Sequence, residues 1–346
     1  MIDLLPLGLA ALALWGLRFA PFPADGEDAL SPARCLPLRG VMAVLVLLHH
    51  LAQQTEGGRL MRSFLYFGAL PVSVFFFLSG LGLMRGFLRR ADYARGFLRR
   101  RLGALALLLL PVLALFALVY AALGEPTGLA GLLGLIASGD PILVILWYLP
   151  VQGVFYLAFG LLARVFPARP GRLLAGMAGF CLAWQLALAL LGAGQWWYNT
   201  CQLLPLGMAW ALFEPRLRPV LRRFYWPLLL AAAALFALLY QFFDAIFALA
   251  PGPWMRLGLL CVRNVVFTLC AVLVMYRVRL GNPASRFLGA RAAELYALQG
   301  LPLLLFHTAL CPIGSELGYS LAVLAATVLL AALCHPLYAA ALRRLR

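Results

Sequence analysis

Lysine is missing altogether: the 346-residue chain carries 28 basic residues, all arginine, against 12 acidic ones, for a formal net charge of +16. Charge of either sign is scarce, at 12% of residues, while 64% are apolar, far from the roughly 25% charged and 45–50% apolar of a soluble domain. That scarcity excludes a water-soluble globular protein, because no soluble core absorbs so much apolar surface. The Cys-x-x-Cys pattern is also lacking. The seven cysteines, Cys35, Cys181, Cys201, Cys261, Cys270, Cys311 and Cys334, mostly sit within apolar runs, so they read as small buried residues rather than metal ligands or a disulfide framework. A basic segment ahead of the first apolar run is lacking too. Asp3 precedes residues 4–20, which therefore read as a retained helix and not a cleaved signal. No repeat, disordered tail or separate soluble domain interrupts the chain.

What the sequence does have is apolar runs. A helix spans about 30 Å of hydrocarbon with about 20 residues, fewer when flanking side chains reach for the interface. By that measure about eleven candidates emerge, near 4–20, 37–54, 64–84, 102–123, 142–165, 173–192, 200–213, 226–243, 257–276, 287–309 and 319–341. Assigning the connecting segments alternately to two sides places 24 of the 28 arginines on one side, with Arg59, Arg62 and Arg256 opposite and Arg263 inside a span. The arginine-rich side is therefore expected in the cytoplasm, with the N-terminus outside and the C-terminus inside. In a soluble protein this excess of arginine would suggest nucleic acid. In a membrane chain it marks cytoplasmic loops, and no nucleic-acid partner is expected. An Ala-, Leu- and Arg-rich, Lys-free composition fits a high-GC bacterium, hence a multi-pass protein of the bacterial cytoplasmic membrane.

The candidate chemistry centres on residues 38–50. Arg39 and His50 are eleven residues apart, and at about 100° per residue the two side chains fall within about 20° of each other on one helix face. The same arithmetic separates them by about 16.5 Å along the axis, with Arg39 at the cytoplasmic boundary and His50 inside the membrane. His49 points some 80° away. Ionisable groups at such depth normally face a polar cavity or the bundle interior, which makes His50 a candidate general base. The plain alternative is that both histidines hydrogen-bond at the external interface.

Arg39, ten intervening residues and His50 resemble the signature of the membrane acyltransferase-3 family, which includes bacterial O-acetyltransferases of cell-surface sugars. Gly68 followed by Val72, Val74, Phe75-Phe76-Phe77 and Leu78-Ser79-Gly80 is similar to the family's next element. Phe97-Leu98-Arg99-Arg100-Arg101, leading into an apolar helix with Pro111, resembles its basic loop and third helix. Trp147-Tyr148-Leu149-Pro150 with Phe155-Tyr156, and then Leu288-Gly289 and Tyr296-Ala297-Leu298-Gln299, match its later elements in order and spacing. Three departures stand out. Gln152 occupies a frequent glutamate position, Gln299 a frequent histidine position, and no two arginines of the basic loop have the spacing of three that many members show. Glutamine holds a hydrogen bond but relays no proton at neutral pH.

The resemblance implies an all-α, polytopic membrane bundle: a ten-helix acyltransferase-like domain over 37–346, preceded by an extra helix and linker over 1–36. It implies transfer of an acyl group, acetyl first of all, from acyl-coenzyme A as co-substrate to a hydroxyl of a cell-surface carbohydrate or lipid-linked glycan. No permanently bound cofactor and no metal are implied. His50 would act as base and Arg39 would hold donor phosphate or developing charge. Arg99, Arg100, Arg101, Ser79, Gln152, Tyr156, Tyr296 and Gln299 would line the substrate path. Seven arginines between 85 and 101 serve either anchoring on anionic membrane lipid or recognition of coenzyme A phosphates. Arg263 is expected to pair with an acid such as Glu294, His335 to line a packed interface, and Trp196-Trp197-Tyr198 to form an aromatic belt or a sugar platform. Two other functions stay open: a glycan or lipid transporter using His50 and Arg263, and a degenerate family member that only binds.

Overall fold

The computed structural model describes residues 1–345. Its architecture is helical almost throughout, and among the described residues the strands are one antiparallel pair, β1 (Arg18–Phe19) with β2 (Val278–Arg279). The helices are α1 (Leu4–Leu14), α2 (Pro32–Gln53), α3 (Arg59–Arg62), α4 (Ala69–Arg89), α5 (Phe97–Ala122), α6 (Leu129–Ser138), α7 (Tyr148–Val165), α8 (Pro170–Leu190) and α9 (Leu203–Arg223). Then follow α10 (Tyr225–Gln241), α11 (Phe243–Leu249), α12 (Gly252–Arg277), α13 (Pro283–Ala290), α14 (Ala292–Leu298), α15 (Gly300–Leu305) and α16 (Glu316–Leu345).

Among the described residues seven helices are long and apolar enough to cross a membrane, and the pair α9 and α10, bent by 93°, makes an eighth when taken as one span. Every segment expected from sequence is helical, but two of the eleven are not single long helices. α1 stops after 11 residues, about 16 Å, because Gly16 turns the chain at φ +71° and residues 18–19 join β2. The 287–309 segment breaks at Arg291 and Gln299 into α13, α14 and α15. There Pro302 cannot donate the backbone bond that a continuous helix would need.

Two helix crossings bring backbones together and fix the frame. A Cβ at Gly80 of α4 would strike the Leu204 carbonyl of α9, and one at Gly207 of α9 would strike the Phe77 carbonyl of α4. Gly40 of α2 and Gly289 of α13 meet in the same way across Ser285 and Leu36 carbonyls. Thus the glycine of the Leu-Ser-Gly element on α4 serves packing. About two-thirds of the apolar window of α2 is buried (67%), against 22% for α5 and for α8. α2, α4 and α7 form the interior, while α5, α8, α10 and α16 turn rows of leucines outward, such as Leu110 and Leu118 or Leu329 and Leu333. Such a continuous apolar exterior fits hydrocarbon as its solvent.

The two ends of the bundle differ in chemistry. At one, Arg85 bonds Asp28 (2.9 Å) and the Leu30 carbonyl (2.8 Å), while Arg218 pairs with Glu214 (2.9 Å) and donates to the Ala24 and Glu27 carbonyls. The segment before α2 is thereby tied to α4 and α9. At the other end the Asp3 carboxylate accepts from the Met61 amide (2.9 Å), and Glu316 accepts from the amides of Glu56 and Gly57. α1 links the two ends, since Asn282 beside β2 donates to the carbonyls of Leu12 and Trp15.

Candidate active site

α2 carries the site from one end of the bundle to the other. Its start is set by Ser31, whose hydroxyl accepts from the Arg34 amide, with Pro32 in the first turn. Of the cavities along it, three hold Arg39 or His50. At the arginine-rich end, one of about 560 Å³ is lined by Arg39, Arg85, Arg89, Arg90 and Arg101, with Asp28 as its single acid, and by Ser79, Tyr93, Tyr148 and Tyr156. A second, of about 230 Å³, shares Arg39, Arg101, Tyr148 and Tyr156 with the first and adds Gln152, Tyr296 and Tyr338. The third, of about 360 Å³, holds His49, His50, Gln53, Trp147, Trp196, Asn199 and Arg263. Tyr296 is the one residue common to the second and third.

The Arg39–His50 spacing therefore does what the helical geometry requires, but across a partition. Arg39 faces the two cavities nearer the arginine end and His50 the third, with the rings of Tyr148 and Tyr296 edge to face at 5.4 Å between them. Tyr296 is held by a hydrogen bond to the Ile145 carbonyl, and its own carbonyl accepts from Gln299 Nε2 (3.0 Å).

His50 is only 8% exposed. Its Nδ1 meets Gln53 Oε1 at 3.0 Å, one helical turn on. An amide oxygen only accepts, so Nδ1 carries the proton and Nε2 keeps a lone pair for a substrate hydroxyl. His49 likewise donates from Nδ1 to the Phe64 carbonyl (2.9 Å) and packs its ring against Gly68, where a Cβ would collide with it. The two imidazoles are 4.7 Å apart. Both line the third cavity, His49 anchored to a backbone carbonyl and His50 to a side chain of its own helix.

A second cluster joins residues far apart in sequence. Gln152 Nε2 donates to Ser79 Oγ (3.1 Å), and Ser79 donates to Tyr156 Oη (3.3 Å). The Arg101 guanidinium stands 5.6 Å from the Tyr156 ring centre. Gln152 is 2% exposed, and its Oε1 is left without a partner, as is that of Gln299. Gln299 lies behind Tyr296 and outside the three cavities. Arg99 is exposed, and Arg100 bonds the Arg95 carbonyl (2.9 Å); of the three consecutive arginines, Arg101 reaches the cavities.

Several polar residues sit differently from expectation. Glu294 pairs with His335 (2.7 Å), not with Arg263, because α14 packs against α16 while Arg263 projects from α12. Arg263 instead stands over the Phe243 ring, its guanidinium carbon 4.0 Å from the ring centre. His335 accordingly makes a specific hydrogen-bonded contact to Glu294 within the α14–α16 packing, and His307 stacks edge-on to Tyr319 at 6.0 Å. Gln53 and Asn199 were not singled out by sequence. For Gln53 the signal was present, three residues after His50 on the same helix; Asn199 gave none.

A bundle of helices long and apolar enough to cross a membrane, with polar cavities strung along a helix bearing a buried histidine, defines a multi-pass membrane protein with a polar interior. The sequence profile of a family described as an acyltransferase domain matches residues 38–338. The chain belongs to that family, acyltransferase-3, and is a membrane acyltransferase. Compared with curated proteins and with solved structures, it matches none.

Proposed function

We propose that the protein transfers an acetyl group from acetyl-coenzyme A to a hydroxyl of a cell-surface carbohydrate or lipid-linked glycan, in the cytoplasmic membrane of a bacterium. The observation that carries this reading is the run of three cavities, arginine-lined at one end and histidine-lined at the other. Five arginines against one acid suit the phosphates of coenzyme A, since guanidinium forks recognise phosphate oxygens bidentately. That end faces the cytoplasm in this reading, as arginine-rich loops do. The thin thioester arm then lies in the second cavity past Tyr156 and Gln152, and its carbonyl reaches Tyr296.

At the third cavity His50 Nε2 takes the proton from the acceptor hydroxyl as its oxygen attacks the thioester carbon. The carbon–sulfur bond breaks, the coenzyme leaves as thiolate, and the ester remains on the acceptor. General-base assistance of this kind contributes about 10²–10⁴-fold. Gln53 fixes the imidazole's tautomer and ring angle. Arg39 holds donor phosphate near the mouth of the second cavity.

The test is thiol release from acetyl-coenzyme A by protein reconstituted in lipid with acceptor-containing membrane extract. His50→Ala is expected to lower kcat by about 10²-fold or more, and Arg39→Ala to raise KM for acetyl-coenzyme A. Absence of turnover by folded wild type, or undiminished kcat in His50→Ala, overturns the reading in favour of transport or binding alone.

A further inference from the structure

The third cavity contains more polar chemistry than base catalysis uses. Arg263 is 4% exposed and projects into it from α12, with Nε buried and without a hydrogen-bond partner. Two more lining residues are in the same condition, Trp196 at Nε1 and Asn199 at Oδ1. Among the described residues no acidic side chain lines the cavity, and no carboxylate comes within ion-pair distance of Arg263. Asp244, next to the Phe243 ring that Arg263 covers, is exposed on α11. A buried cation in a membrane bundle normally has a counter-charge, and leaving one without is costly enough to require a reason.

We propose that Arg263 is the specificity-determining residue of the acceptor site and that the acceptor carries an anion, a carboxylate or a phosphate, beside the hydroxyl that is acylated. This rests on the reading of the third cavity as the acceptor side of the acyl transfer. The remaining lining agrees with a sugar anion. The unpartnered Trp196 indole N–H suits an acceptor oxygen, the unpartnered Asn199 side-chain amide oxygen suits a hydroxyl, and Trp147 and Trp196 offer aromatic surface to the apolar side of a pyranose ring. A volume of about 360 Å³ stands at the small end of the roughly 300–1,000 Å³ of ligand sites, so it takes the reacting end of a glycan rather than a long segment. Phe243 beneath the guanidinium keeps its plane fixed, which favours a bidentate hold on a planar or tetrahedral oxyanion.

The experiment measures binding without acyl-coenzyme A, on full-length protein in phosphatidylcholine nanodiscs, by equilibrium dialysis. Methyl glucuronide is compared with methyl glucoside, and glycerol phosphate with glycerol. The expected result is that at least one anionic probe binds wild type about 10–100-fold tighter than its neutral counterpart, as a charge-assisted bond to a buried guanidinium would give. That preference disappears in Arg263→Gln and survives in weakened form in Arg263→Lys, which keeps the charge but not the fork. Preference for the glucuronide assigns a carboxylate, and preference for glycerol phosphate a phosphate. Should Arg263→Gln fail to fold, the Lys variant and the paired probes on wild type still decide. Equal affinity for charged and neutral probes, no binding of either anion, or full preference retained in Arg263→Gln overturns the proposal. Because no turnover is measured, anion-selective binding in a protein that transfers no acyl group would refute the transfer reading alone.

Discussion

The crossing of α4 and α9 sets the position of Ser79, and its two glycines set how closely the helices approach. An alanine at 207 would put Cβ 2.8 Å from the Phe77 carbonyl carbon and 2.9 Å from the Leu81 amide nitrogen, with the Phe77 oxygen closer still. These are backbone atoms and cannot swing aside, so the helices must part by roughly 1 Å or more, and a gap of about 1 Å already forfeits about half of the dispersion energy along the contact. Overpacking of this sort costs about 1–3 kcal/mol, and rigid neighbours place Gly207→Ala near the top, at about 2–3 kcal/mol. Gly80→Ala meets the Leu204 carbonyl in the reciprocal way and should cost the same. The double variant should then cost clearly less than the sum, because a crossing opened once for either methyl group accommodates the second. With roughly 2 °C lost per kcal/mol in a chain of this size, thermal unfolding followed by circular dichroism in nanodiscs should show each single variant about 4–6 °C lower. Singles that unfold like wild type, or a strictly additive double, would refute this account of the crossing.

Gln53→Leu should lower kcat about 3–10-fold while leaving KM for acetyl-coenzyme A unchanged, since it removes one net hydrogen bond of about 0.5–1.5 kcal/mol from His50 and touches no donor residue; steady-state kinetics separate the two. His335→Ala should destabilise by on the order of 3 kcal/mol because it strands the Glu294 carboxylate, 2% exposed, without its partner. Adding Glu294→Gln to His335→Ala should recover part of that loss in the same melting assay. Tyr156→Phe removes the hydroxyl that receives the Ser79 hydrogen bond and should raise KM for the donor several-fold with little change in melting temperature. A change in melting temperature alone would show that the cluster serves folding.

Much of the site was legible because it is written on single helices. Arg39 and His50 share α2, so their common face and axial separation follow from helical geometry, and the structure adds only that Tyr148 and Tyr296 stand between them. Ser79, Gln152 and Tyr156 could be nominated through family resemblance, but their hydrogen-bonded chain depends on how α4 meets α7, which no local pattern encodes. Arg263 shows the limit most clearly. A buried arginine needs an anion, and sequence offers Glu294 as a candidate in a neighbouring span, yet pairing is decided by which helices touch. α14 lies against α16, so Glu294 takes His335 and leaves Arg263 facing the histidine cavity. Span counting met a similar limit: the hydropathy of 287–309 suits one long helix, while Gly289 against the Leu36 carbonyl and Pro302 on α15 divide it.

If donor and acceptor chemistry are served from opposite ends of the bundle, turnover must depend on the face to which the donor is supplied. Protein is reconstituted into sealed vesicles, and its orientation is read from labelling of Cys311, the exposed cysteine in the loop ahead of Glu316, with a membrane-impermeant maleimide. Acetyl-coenzyme A is then supplied to one face at a time. The account predicts thiol release only when the donor is on the face opposite Cys311, where Arg39, Arg85, Arg89, Arg90 and Arg101 line the opening. Equal or greater release from donor on the Cys311 face would contradict it.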